Sequence, residues 1–242
     1  MVNSTTDLYN SKVKDNFKAF MVNGAHFNGY YDIPTIPQVK HNINIVNLIS
    51  YDLTKNHNYK TGDIVHFYID DYKFDGLNGI WNNVKSNMNY KRGFNINRLV
   101  GCEAVIAPDF SIYLDMPRCM QIWNIYRSRA FGYYLTTLGF NVIPNVRWTD
   151  EESYKYSFDG VLPKSIVSVG TLGCSKTRRD KDLFNKGFIQ MIKKINPSKV
   201  IIYGSISKEL DYILKFYKIS YIQFESKTSK YFRGINDGIQ IW

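Results

Sequence analysis

The sequence predicts an α/β fold: alternating strands and helices, with a mostly parallel sheet of about seven strands, open or closed into an incomplete or distorted barrel. Three observations lead there. Short β-branched and aromatic runs recur along the chain, most are separated by segments of helical periodicity, and at least one is apolar without interruption, as a strand buried on both faces is. The 242 residues suit one α/β domain over 1–242. Within it, 1–40 reads as an N-terminal extension or edge segment and 226–242 as a basic, aromatic C-terminal tail.

The elements follow in order. PTIPQ (34–38) forces an extended stretch, because each proline restricts itself and its predecessor. NIVNLISYD (44–52) and DIVHFYIDD (63–71) are strands rich in β-branched and aromatic residues. GLNGIWNNVKSNMNYKRG (76–93) is a weak helix between glycines, and CEAVIAPDF (102–110) a strand buried on both faces. A long helix runs from Met116 to Leu138, where Gly139 stops it. FNVIPNVRW (140–148) is a strand and TDEESYKY (149–156) an acidic helix start. KSIVSVGT (164–171), SKVIIYGS (198–205) and ISYIQFE (219–225) are strands, interleaved with helices over 181–195 and 208–218.

Composition excludes several classes. Hydrophobic residues at 44% supply a core and rule out a disordered chain. No signal-like or membrane-spanning run is present, so a soluble, cytoplasmic protein is expected. Three scattered cysteines without a CxxC pattern argue against a disulfide scaffold or structural zinc, and the four histidines lack zinc-hydrolase spacing. No metal site and no cofactor is therefore expected, Mg²⁺ apart in the nuclease alternative below. The formal charge of +10 attracts polyanions, and its excess lies in the C-terminal third.

In parallel α/β folds the working residues gather past the C-terminal ends of strands. Those positions hold Asp70 and Asp71, Asp109, Arg147 and Trp148, Gly170–Gly173, and Gly204–Ser205. On the long helix, Met116, Met120, Trp123, Phe131, Tyr134 and Leu138 form a stripe with Arg127 at its centre. Arg118 and Arg129 fall on the rim, and Gln121, Asn124 and Ser128 face the other way. A guanidinium on the apolar stripe needs a partner, and Asp70, Asp71, Asp109 and Asp115 are candidates. The expectation is that Arg127 meets Asp109 in the core; the alternative opens it onto a cleft, where it grips a phosphate or carboxylate. GTLGCSKT (170–177) follows a strand and precedes a helix, yet Ser175 stands where a Walker A loop needs glycine. It reads instead as a glycine-softened turn whose basic residues touch phosphates.

The runs APDFSIYLDMPRCMQIWNIYRSRAFGYYL, IPNVRW, YSFDG and VHFYIDDY, at their spacings, resemble the domain of unknown function 4417 family, found in phages, plasmids and integrative elements of low-GC Gram-positive bacteria. The resemblance runs from roughly Asp63 to Ser205 and implies a phage or mobile-element origin but no particular reaction. With the charge, it leads to an accessory protein that binds nucleic acid, RNA or single strands above all. Such a protein would serve as an anti-defence or host-takeover factor acting on a host defence or replication nucleoprotein complex. The expected contacts are Arg147, Trp148, Lys176, Arg178, Arg179, Lys227, Lys230, Tyr231 and Arg233, with Phe232 beside them. One alternative is a metal-dependent nuclease or phosphodiesterase, with Asp70, Asp71 and Asp109 on Mg²⁺ and Arg127 or Arg147 on phosphate. A second is an inhibitor that binds only protein.

Overall fold

The computed structural model describes residues 18–39, 43–84, 94–174 and 177–227. Nine strands and five α-helices are assigned among them. β1 (Phe27–Asn28) and β2 (Ile33–Pro34) form a small antiparallel pair. β3 (Asn47–Ser50), β4 (Asp63–His66), β5 (Ala104–Ile106) and β6 (Val142–Ile143) form a parallel sheet in that order. β7 (Ile166–Gly170), β8 (Lys199–Tyr203) and β9 (Tyr221–Phe224) form a second parallel sheet.

The α/β class and the parallel pairing are as the sequence predicts, but the seven strands do not make one sheet. They divide into four and three, and the join is a single parallel bridge, Asn145 to Ser168. The Val146 amide donates to the Ser168 carbonyl at 2.8 Å and the Ser168 amide to the Pro144 carbonyl at 2.9 Å. Pro144 has no amide hydrogen to extend this ladder, so the pairing stops there. The two sheets nonetheless share one inner core. Ile64, Ala104, Ile106 and Ile143 of the first meet Ile201 and Tyr203 of the second. Beyond β9, Lys227 Nζ reaches Asp52 Oδ1, just past β3, at 2.8 Å. No strand ladder joins β9 to β3 among the described residues, so the structure shows two parallel sheets rather than a closed barrel.

Alternate residues of each strand point outward, and the two halves cover their outer faces differently. Over the three-stranded sheet lie α4 (Arg178–Ile195) and α5 (Lys208–Phe216). Val167, Val169, Val200 and Ile202 pack there against Phe188, Met191, Ile192 and Leu214. α4 starts three residues before the predicted point because Thr177 and Asp180 form a reciprocal capping box. Over the four-stranded sheet lies α2 (Arg118–Thr137); Val65, Val105 and Ala107 pack on its Ala130, Phe131 and Leu135. The shorter helices are α1 (Ile80–Asn83) and α3 (Tyr154–Ser157). The remainder of the predicted 76–93 helix, from residue 85, lies outside the described residues. The described part of the N-terminal segment enters the core, where Met21, Ile33 and Ile36 are fully buried.

The facing of α2 corrects the sequence expectation. Gln121, Asn124, Ser128 and Arg129 are buried, whereas Met120, Trp123 and Leu138 are 50%, 43% and 48% exposed. The cause is the loop from Pro108 to Met116, whose carbonyls have no strand ladder to satisfy them. Ser128 Oγ donates to the Pro108 carbonyl at 2.7 Å, Asn124 Nδ2 to Ser111 at 2.6 Å, and Gln121 Nε2 to Met116 at 2.8 Å. Arg129, placed on the rim by the helical wheel, is fully buried. Its guanidinium donates to the carbonyls of Asn145, Ser157 and Asp159 at 2.7, 3.2 and 3.1 Å. Burial pushes its pKa down to about 10, so it stays charged at neutral pH.

Candidate functional site

A cleft of about 260 Å³ opens where the two sheets join, at the C-terminal ends of β5, β6 and β7. β5 delivers Asp109 through the short stretch Ala107–Pro108. β6 continues through Asn145, so that by strand alternation Asn145 and Arg147 follow Ile143 on one side. β7 ends in the turn Thr171–Cys174, where Gly173 takes a φ of 78°, and the Cys174 amide closes the turn on the Thr171 carbonyl. The opposite wall is the first two turns of α4, with Asp180, Leu183 and Phe184.

Asp109 sits at the centre of a polar network. Its Oδ2 accepts from Arg147 Nη1 at 2.6 Å and its Oδ1 from Asn145 Nδ2 at 2.7 Å. The Tyr68 hydroxyl donates to Asn145 Oδ1 at 2.8 Å and lies 2.7 Å from Ser168 Oγ. Tyr68 is stacked on Tyr203 with ring centroids 4.8 Å apart, and His66 lies 4.7 Å from the same Tyr203 ring. Burial, with the Asp109 charge added, drives the Tyr68 hydroxyl far above its usual range, so it stays protonated. Burial lowers His66 to about 3, which leaves it neutral. Burial alone would lower the Arg147 pKa, but the Asp109 carboxylate outweighs it and raises the value. Burial raises the Cys174 thiol to about 11 against the pull of Arg147, so it is no thiolate nucleophile at neutral pH.

The arginines sort by what they hold. Arg127 meets neither Asp109 nor the cleft. Its Nη1 donates to Asp75 at 2.6 Å, its Nη2 to Asn124 at 2.7 Å, and its guanidinium lies 4.0 Å from the Phe110 ring centre. The expected Arg127–Asp109 pair does not form because Arg147 already occupies Asp109. Arg118 forks onto Asp150, with contacts of 2.9 and 2.5 Å. Arg129 spends its donors on carbonyls. Arg147 differs: it lines the cleft with a side chain 29% exposed, and Asp109 is its one partner among the described residues.

The other predicted site residues scatter. The Asp70 side chain is 68% exposed and 3.8 Å from Lys73. Asp71 accepts from the Ser111 amide at 3.1 Å and its hydroxyl at 2.9 Å, and burial raises its pKa. Among the described residues, no three His, Cys, Asp or Glu side chains are grouped to hold a metal ion. Trp148 lines the cleft but is only 9% exposed, its indole against Phe184, with ring centroids 5.2 Å apart. Arg178 and Arg179 are exposed on the first turn of α4. Lys227 is engaged with Asp52. Lys176, Lys230, Tyr231, Phe232 and Arg233 lie outside the described residues. Sequence reasoning missed Tyr68, Asn145 and Ser168. The alternation that brings Asn145 beside Arg147 was the available signal.

Comparison with known proteins relates the sequence to phage proteins. The chain is 29% identical over 161 residues to the Gene 1 protein of Mycobacterium phage L5, covering 66% of each protein. It is 28% identical over 162 residues to the Gene 1 protein of Mycobacterium phage D29, covering 66% of this chain and 56% of that one. The chain thus spans just under two thirds, and just over half, of the length of these relatives. No solved structure matches. Residues 25–225 match the family described as "Domain of unknown function (DUF4417)", a span that extends beyond the recognised motifs on both sides and includes the cleft and every strand of both parallel sheets, and the chain belongs to that family.

Proposed function

We propose that this phage-related protein binds single-stranded nucleic acid, RNA above all, and admits one nucleotide at a time to the cleft between the two sheets. The observation that carries this is Arg147. Unlike the three arginines of α2, it lines the cleft and retains donors there, and it stands beside aromatic and apolar walls. Exposed Arg178 and Arg179, on the helix that forms one wall, suit the backbone that would run outside. A cleft this small admits a splayed single strand and excludes a duplex. The relatives named above are phage proteins, and the role we propose on that origin alone is anti-defence or host takeover, in which the strand belongs to a host nucleoprotein complex.

The metal-dependent nuclease takes second place, because among the described residues no three His, Cys, Asp or Glu side chains are grouped to hold a metal ion, and Asp70 points to Lys73 rather than to Asp109. Titrating labelled single-stranded RNA and duplex of equal length across a salt series tests the proposal. Expected are preference for the single strand and an affinity that falls steeply with salt. Binding indifferent to salt, or none, overturns it and leaves the protein-binding inhibitor as the better account. Loss of intact RNA in Mg²⁺ would move the nuclease to first place.

A further inference from the structure

We infer that the cleft reads a base rather than a phosphate, and that the base it fits is guanine. This rests on the single-strand proposal above and names what the same site recognises. The charge count decides first. Among the described residues the cleft is lined by one arginine against two carboxylates, Asp109 and Asp180. A phosphate seated on Arg147 would meet the Asp109 oxygen already 2.6 Å from that guanidinium. An uncharged ring avoids this repulsion and uses both partners at once.

The donor pattern decides second. Arg147 and Asp109 present hydrogen-bond donors beside a carboxylate acceptor. On its Watson–Crick edge guanine places the O6 acceptor beside two adjacent donors, N1–H and N2–H₂. Adenine, cytosine and uracil each give a carboxylate a single donor group there. The Arg147 guanidinium would donate to O6 while Asp109 accepts from N1 and N2. The carboxylate is fixed in advance: Asn145 holds its Oδ1, and the Tyr68 hydroxyl holds Asn145. Val146, Val169, Trp148 and Phe184 line the same cleft and offer apolar surface to a flat ring. About 260 Å³ is just below the size of drug-binding pockets, which suits one base with its sugar.

The test is competition by the free monophosphates of guanosine, adenosine, cytidine and uridine against a bound, labelled single-stranded RNA of mixed sequence. The guanosine compound should compete at least about tenfold better than the others. Equal competition by all four, or none by any, overturns the base assignment while leaving strand binding intact. A wild-type protein that binds no RNA overturns the broader proposal instead. Asp109→Asn adds a second readout: the guanosine preference should collapse, and xanthosine monophosphate, with a carbonyl in place of the N2 amine, should compete better than with the wild type. Persistence of the guanosine preference in a folded Asp109→Asn protein contradicts the assignment. If that variant does not fold, the wild-type series decides alone.

Discussion

The two helical covers of these sheets are built on opposite principles. α4 and α5 close the three-stranded sheet with Phe188, Met191, Ile192, Leu210 and Leu214, an apolar face whose stabilisation scales with area removed from water. α2 closes the four-stranded sheet with a mixed face: Phe131 and Leu135 below, but Gln121, Asn124, Ser128 and Arg129 buried along much of its length. There the helix serves as a row of donors for a loop and two chain turns that have no ladder. One sheet is covered by apolar burial. The other is anchored by satisfying carbonyls, and the cost of failure differs accordingly, because a buried group left unpaired is more costly than a contact merely lost.

The sharpest way to break this contrast is Arg129→Met. It keeps the bulk and leaves the carbonyls of Asn145, Ser157 and Asp159 without their donor. Urea unfolding should show a loss of at least about 3 kcal/mol, enough to unfold a marginally stable domain. A loss below about 1 kcal/mol would mean that α2 is held by apolar packing like its counterpart.

The next test compares glycines on the two helices. A Cβ at Gly187 on α4 would lie 2.1 Å from Trp148 Nε1, in a packed ring cluster that cannot move aside. A Cβ at Gly132 on α2 would lie 2.5 Å from Ile36 Cδ1, the movable end of a side chain. Gly187→Ala should lose about 1–2 kcal/mol despite the better helix propensity of alanine, and Gly132→Ala should stay within about 1 kcal/mol of wild type. Thermal melts of both variants check the order.

The smallest effect expected is at the outer end of α2. The hydrogen bond from Arg118 holds Asp150 below the usual carboxylate range. A depressed carboxylate stabilises the fold above its unfolded pKa, near 4, and that contribution is lost as pH falls through the lower folded value. Arg118→Ala should therefore cost no more than about 1 kcal/mol at pH 7, since the Arg118 side chain is 43% exposed, and nothing at strongly acidic pH. Melts at the two pH values measure the difference, and a gap that persisted in acid would place the effect elsewhere.

These contrasts also explain what was legible beforehand. The three-stranded half was read closely: each predicted strand contains the observed one with no more than two residues to spare at either end, and its helices carry an apolar stripe at the expected period. The class and the parallel pairing followed. The four-stranded half was misread on α2, because periodicity counts apolar residues and the buried face there is polar. Arg127 looked misplaced and Arg129 ordinary; in the fold Arg127 is a peripheral clamp on Asp75 and Arg129 the buried anchor. The break between the sheets was hidden for a related reason: a single proline limits the ladder, while the runs on either side both read as strands. Asp109, Arg147 and Trp148 were singled out as residues at strand ends, and the fold does line one cleft with them. Their network through Asn145, Tyr68 and Ser168 was not, since it joins residues up to 100 positions apart.

The measurement that bears most directly on the account is the affinity of wild type and Arg147→Ala for the same labelled single-stranded RNA, at one salt concentration and with both proteins shown to be folded. Arg147 at the cleft between the sheets should be worth about tenfold or more in affinity. An Arg147→Ala protein that binds as tightly as wild type would contradict the assignment of that cleft as the binding site.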